Sequence, residues 1–148
     1  MTIKRFLKAV AVMVAITAFN NTPGMASESE VLIIANKDMT INSLSKAEIK
    51  NIFLGMTTFW PDNTKITFAT LVKLEVHKRF VVKYTNKSTD QFRAYWRNQL
   101  FIGKGRIPKI FKTEQEIVNF VAKTDGAIGY VSPSAAIDTV KVITVSDN

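Results

Sequence analysis

Lys123-Thr124-Asp125-Gly126-Ala127-Ile128-Gly129-Tyr130-Val131 is the stretch on which the fold turns. It reads as the end of a helix, a tight turn and a short strand of small and apolar residues. Asp125-Gly126 is suited to the turn, because glycine takes a positive φ with no Cβ to clash. Ala127 to Val131 is too short and too apolar for anything but a buried strand, and Gly129 is expected to let another backbone come close. A helix that turns straight into a buried strand is the unit of an α/β domain.

Upstream of this corner the same grammar repeats. Glu30-Val31-Leu32-Ile33-Ile34-Ala35-Asn36-Lys37 is a continuous apolar run with polar flanks, as expected of a central strand covered on both faces. Ser45 and Glu48 have capping-box spacing, so each satisfies a free backbone donor near the other. The helix they open buries Ala47, Ile49, Ile52 and Phe53, and Gly55 closes it in the left-handed conformation. Phe59 to Thr64 is a turn-rich loop, and the alternation from Lys65 to Leu71 predicts a second strand.

Val76, Phe80 and Tyr84 fall four apart and predict a helix over 76–84. Ser88 and Gln91 make a second capping box, before a helix whose apolar face is Phe92, Tyr95, Trp96 and Leu100. Phe101 to Pro108 reads as a loop. Thr113 and Glu116 form a third box, and Ile117, Phe120 and Val121 bury the helix that leads into the opening stretch. Ser132-Pro133 predicts a further short helix toward Asp138, because proline suits the first helical position, and Val140 to Val145 predicts a last strand. No repeat or linker interrupts the pattern, so one α/β domain is expected.

The chain has 148 residues, 47% hydrophobic and 22% charged, as suits one globular domain. Its first 26 residues have a different character. Lys4, Arg5 and Lys8 precede the apolar run Ala9 to Phe19, and Gly24-Met25-Ala26 offers a small-residue cleavage site. This is the layout of a secretory signal peptide, with an apolar run too short for the roughly 20 residues that span a bilayer. Cleavage after Ala26 is expected, leaving 27–148 as the domain and a periplasmic location. With no cysteine there, no lipid anchor and no stable membrane insertion are expected after cleavage. The absence of cysteine also excludes thiolate metal sites and thiol nucleophiles.

The formal charge is +8, and removing the three basic signal residues leaves 17 Lys and Arg against 12 Asp and Glu. The excess is local. Nine basic residues lie between Lys73 and Arg106, against Glu75 and Asp90 alone. Anionic ligands or surfaces follow from such a segment. Nucleic acid fits the charge, but an exported chain does not meet it, so no nucleic-acid partner is expected.

Three stretches share an order and spacing with a known family: LSKAEIKNIFLGMTTFW at 44–60, FRAYWRNQLFIGKG at 92–105 and TEQEIVNFVAKTDGAIGYVSP at 113–133. Together they resemble the short forms of the periplasmic-binding-protein-like domain found in the substrate-binding proteins of phosphate ABC transporters. The resemblance implies an α/β fold with a mixed sheet flanked by helices in a single compact lobe. It also implies a periplasmic solute-binding-like protein for phosphate or a similar oxyanion, connected with ABC-type transport, and a membrane transporter or envelope protein as partner.

Two departures accompany it. At 122 residues after cleavage the chain has well under half the family's usual length, and it resembles the later part of such a protein, without the N-terminal lobe. Where phosphate binders carry an Arg and then a Ser-Gly-Thr turn at a helix N-terminus, this chain has Thr70-Leu71-Val72-Lys73-Leu74-Glu75-Val76-His77-Lys78-Arg79. Free N–H groups and hydroxyls that converge on an anion are therefore absent from that turn. The candidate ligand contacts are Thr70, Lys73, His77 and Arg79 in this stretch, with Lys104 and Arg106 of the glycine-containing loop 103–106, whose backbone admits an anion closely.

His77 is the one histidine and has no partners at zinc-site spacing. No Gly-x-Ser-x-Gly elbow surrounds Ser132 or Ser134, and no pair of carboxylates is set for acid–base work, so no enzyme activity and no cofactor are expected. Trp60, Tyr95 and Trp96 are assigned to packing. The alternative function is an interaction module of the same fold, docking a protein partner or an anionic envelope surface through Lys73–Arg106.

Overall fold

The computed structural model describes residues 30–72, 74–104 and 106–147. The expected signal peptide, with its cleavage site, and the candidate Lys73 lie outside the described residues.

Among the described residues, six strands form one mixed sheet. They are β1 (Leu32–Ala35), β2 (Ser43–Ser45), β3 (Thr67–Leu71), β4 (Lys109–Phe111), β5 (Ala127–Val131) and β6 (Lys141–Ser146), in the spatial order β2-β6-β1-β5-β3-β4. β5 pairs antiparallel with β1, placing Ile33 opposite Tyr130, and parallel with β3, placing Phe68 opposite Ile128. β4 continues the sheet parallel to β3. The apolar run at 30–37 is thus an inner strand and the corner at 123–131 feeds the strand beside it, where continuous burial is required.

The helices are α1 (Lys46–Phe53), α2 (Glu75–Phe80), α3 (Thr89–Phe101) and α4 (Glu114–Lys123). α1, α3 and α4 each open with both halves of the expected capping box, at Ser45/Glu48, Ser88/Gln91 and Thr113/Glu116. Gly55 takes the left-handed conformation, as does Gly126 in the turn before β5. Tyr130 is fully buried, stacked on Phe80 with ring centroids 3.8 Å apart, and Phe53 packs against both Phe68 and Phe80. Polar atoms tie the layers. Asn36 Nδ2 donates to the carbonyls of Val121 and Ala122 at the end of α4, and Trp60 Nε1 donates to the Gly126 carbonyl.

Several expectations are corrected. Residues 132–140 form turns and bends rather than a helix. Glu114 supplies the reason, since its carboxylate takes up both the backbone N–H and the hydroxyl of Ser132. The helix expected over 76–84 divides into α2 and a π-helical turn, Val81–Thr85, in which the Thr85 hydroxyl donates to the Val81 carbonyl. Gly129 faces α4 side chains rather than another backbone, for a Cβ there would stand 2.9 Å from Ile117 Cγ2. β3 is buried on both faces from Phe68 onward instead of alternating, because α4 covers the face of Ala69 while Phe53 of α1 and Trp96 of α3 pack on Phe68 from the other. Ala47 and Leu100, assigned to buried helix faces, are exposed.

Candidate ligand-binding site

β3, β4 and β5 run in the same direction, so Leu71, Phe111 and Val131 end on one edge of the sheet. In open α/β sheets the crevice outside the carboxyl ends of strands is where ligands bind. Here the chain leaves β3, enters α2 at Glu75, and is faced by α3 and by the segment that leads into β4. Between them lies a cavity of about 560 Å³. Its floor is Thr70, Leu71, His77, Phe92 and Trp96, all buried. Its far wall is Leu100, Ile107, Pro108 and Ile110, and its charged rim is Glu75, Lys78, Arg93 and Arg97.

His77 is built into the floor. Its Nδ1 is 2.5 Å from the Tyr130 hydroxyl, which also accepts from the Leu71 backbone N–H at 3.0 Å. With Leu71 donating to it, the Tyr130 O–H keeps its own proton for an acceptor, and Nδ1 is that acceptor. The imidazole therefore carries its proton on Nε2, on the side of the ring away from Tyr130. Burial, helped by the nearby Arg93 guanidinium, pushes the His77 pKa down to about 4. Burial pushes the Tyr130 hydroxyl up, although the Leu71 N–H opposes it. At neutral pH both groups are uncharged, and His77 is a hydrogen-bond donor rather than a cation.

The rim supplies the charge. Arg93 lies 3.4 Å from Asp90 in an exposed pair of little energetic weight. Glu75, the acidic lining residue, is turned toward Arg79 at 3.7 Å. α2 opens at Leu74 with no side-chain cap, which leaves its first N–H groups without a side-chain partner, and the Glu75 carboxylate stands in that first turn, where it disfavours an anion. Among the described residues no three His, Asp or Glu side chains converge as metal ligands do.

The five described candidates from sequence are divided by the fold, Lys73 lying outside the described residues. Thr70 and His77 line the cavity. Arg79 pairs with Glu75 and is not among the lining residues. Lys104 and Arg106 belong to a separate concavity of about 140 Å³ beside Gly55 and Thr58. There Arg106 Nη1 donates to the Thr58 carbonyl at 3.0 Å and its guanidinium lies over Phe59, 5.1 Å from the ring centre. Arg106 is engaged in holding its own loop. Arg93 and Arg97, which line the cavity, were not among the candidates. Their spacing of four on α3 places both on one face, and that was the available signal.

Comparison with known proteins agrees with this architecture. The family described as the PBP superfamily domain matches residues 28–147. PstS from Borrelia burgdorferi superposes with a TM-score of 0.59 at 14% identity, over 80% of this chain and 48% of its own. An ABC-type phosphate transport receptor from Vibrio cholerae superposes with a TM-score of 0.53 at 15% identity, over 78% of this chain and 45% of its own. A candidate phosphate ABC transporter substrate-binding protein from Clostridium perfringens, with bound phosphate, gives 0.53 at 20% identity, over 78% and 44%. The chain thus spans less than half the length of each. No curated protein matches the sequence significantly. At these identities the structural likeness speaks for the fold, and the family match covers the whole described domain: this chain belongs to the PBP superfamily domain family.

Proposed function

We propose that the chain is a periplasmic solute-binding-like protein that takes phosphate or a similar oxyanion in the cavity at the end of β3, in connection with ABC-type transport and with no catalytic step. In this reading residues 1–26 are its signal peptide. The observation that carries it is the imbalance of charge at the cavity: Lys78, Arg93 and Arg97 stand on the rim with Glu75 as the acidic lining residue. His77 adds an uncharged N–H donor from the floor, and Thr70 a hydroxyl. The names of the related structures, two of which speak of phosphate transport, support the choice of ligand.

Isothermal titration of the purified protein with phosphate and with sulfate, in a phosphate-free buffer, tests it. Saturable binding at micromolar Kd or tighter, about −8 kcal/mol or better, is the expected result. A folded protein that gives no heat with any oxyanion would sink the reading.

A second reading has its own observation. Val72, Leu74, Leu100, Ile107 and Ile110 are exposed and gather at the same cavity, and Phe101 beside them is 91% exposed. Such a patch also suits an interaction module that docks an envelope protein. Its mark would be partner binding that salt weakens smoothly, with no oxyanion bound.

A further inference from the structure

The cavity is larger and more apolar than a bare oxyanion needs, and its charged lining residues, Glu75, Lys78, Arg93 and Arg97, all come from α2 and α3. At about 560 Å³ it falls within the roughly 300–1,000 Å³ of sites that enclose small organic molecules. The end at α2 is lined by Val72, Leu74, His77 and Lys78, with Arg93 of α3 near the His77 ring and Arg97 one turn further along α3. The carboxylate that stands at this end, Glu75, is drawn to Arg79. The other end is lined by residues that follow Arg97 in the chain, and none of these is charged. Leu100, Ile107 and Ile110 face it at 56%, 53% and 62% exposure, above the buried Trp96. Isolated apolar residues on a surface are ordinary, but several at one concave mouth mark a binding site.

Building on the oxyanion reading, we propose that the natural ligand is an organic phosphate monoester or a closely similar amphipathic anion. Its charged head sits against Arg93, Lys78 and the His77 Nε2–H, and its short apolar chain or ring lies along Trp96, Leu100, Ile107 and Ile110. The complementarity is one of charge at one end and of buried apolar area at the other. The recess also separates a free molecule from a lipid surface. Leu71, Phe92 and Trp96 on the floor are 2%, 4% and 8% exposed, and a flat bilayer does not reach into such a depression.

The test is a calorimetric comparison of inorganic phosphate, hexyl phosphate and 1-hexanol on the purified protein, repeated with Arg93→Ala and with Leu100→Ser. Both positions are exposed, so neither change removes core packing. Hexyl phosphate is expected to bind at least tenfold more tightly than phosphate. Arg93→Ala should weaken both anions, whereas Leu100→Ser should weaken hexyl phosphate by threefold or more and leave phosphate unchanged. Equal affinity for phosphate and hexyl phosphate would overturn this inference while the oxyanion reading stood. A preference for hexyl phosphate that Leu100→Ser does not reduce would also overturn it, since the chain would lie elsewhere. Heat from neither anion would take down both. Co-sedimentation with phosphatidic acid vesicles, without saturable binding of hexyl phosphate, would overturn it in favour of a membrane surface.

Discussion

His77 offers a direct test of the site's construction, because its protonation is coupled to folding. In the unfolded chain the imidazole titrates at its ordinary 6.5, and in the folded protein at about 4. The folded state disfavours the charged ring, so stability is fully present above pH 6.5 and is lost as pH falls toward 4. At about 1.4 kcal/mol per pH unit the full difference corresponds to about 3 kcal/mol, and solvent access at the cavity wall reduces it to about 2 kcal/mol.

Three carboxylates are held below their ordinary range: Asp62 by the Thr64 N–H, Glu116 by the Lys112 N–H and Asp147 by the Lys46 ammonium. Their contributions are lost only as pH falls below about 4.5. The interval from 6.5 to 4.5 therefore belongs to His77. The perturbation is His77→Asn, whose carboxamide oxygen remains an acceptor for the Tyr130 O–H but does not titrate. Urea unfolding at pH 7.5, 6.5, 5.5 and 4.5 should show the native protein losing stability relative to the variant, toward a total of about 2 kcal/mol. As the single histidine in the chain, His77 also gives one assignable imidazole resonance whose midpoint should lie near 4. Parallel stability curves for the two proteins, or a midpoint near 6.5, would refute the argument.

Other outcomes follow from single contacts. Arg79→Ala should leave oxyanion affinity within twofold of the native value by calorimetry, because Arg79 faces Glu75, whereas Arg97→Ala should weaken it by several-fold. Gly126→Ala should destabilise the protein by more than about 2 kcal/mol in urea, since φ there is +68° and the new Cβ would stand 2.3 Å from the Lys65 carbonyl oxygen. Ser88→Ala should cost about 1 kcal/mol by the same assay, because the Ser88 hydroxyl accepts from the Gln91 N–H at the start of α3. Tyr130→Phe should cost about 1–3 kcal/mol, as the buried Leu71 N–H would be left without its acceptor.

Local signals determined most of the fold. Capping boxes, the glycine turn at 126 and the apolar runs at 30–37 and 127–131 depend on neighbours within a few residues, and such features are written in order along the chain. The same locality explains what was missed or read wrongly. A three-residue edge strand such as Lys109–Phe111 exists because β3 is there to pair with it, and the 132–140 segment is turned because Glu114 reaches Ser132 from another element. The basic segment was legible as a count of charges, but not as a site. Only packing decided that Lys78, Arg93 and Arg97 share a cavity with Thr70 and His77 while Arg79, Lys104 and Arg106 turn elsewhere. The partners of a side chain at a distance, such as Tyr130 for His77 or Thr58 for Arg106, are chosen by which surfaces the sheet and helices bring together. That choice is long-range, and no local spacing carries it.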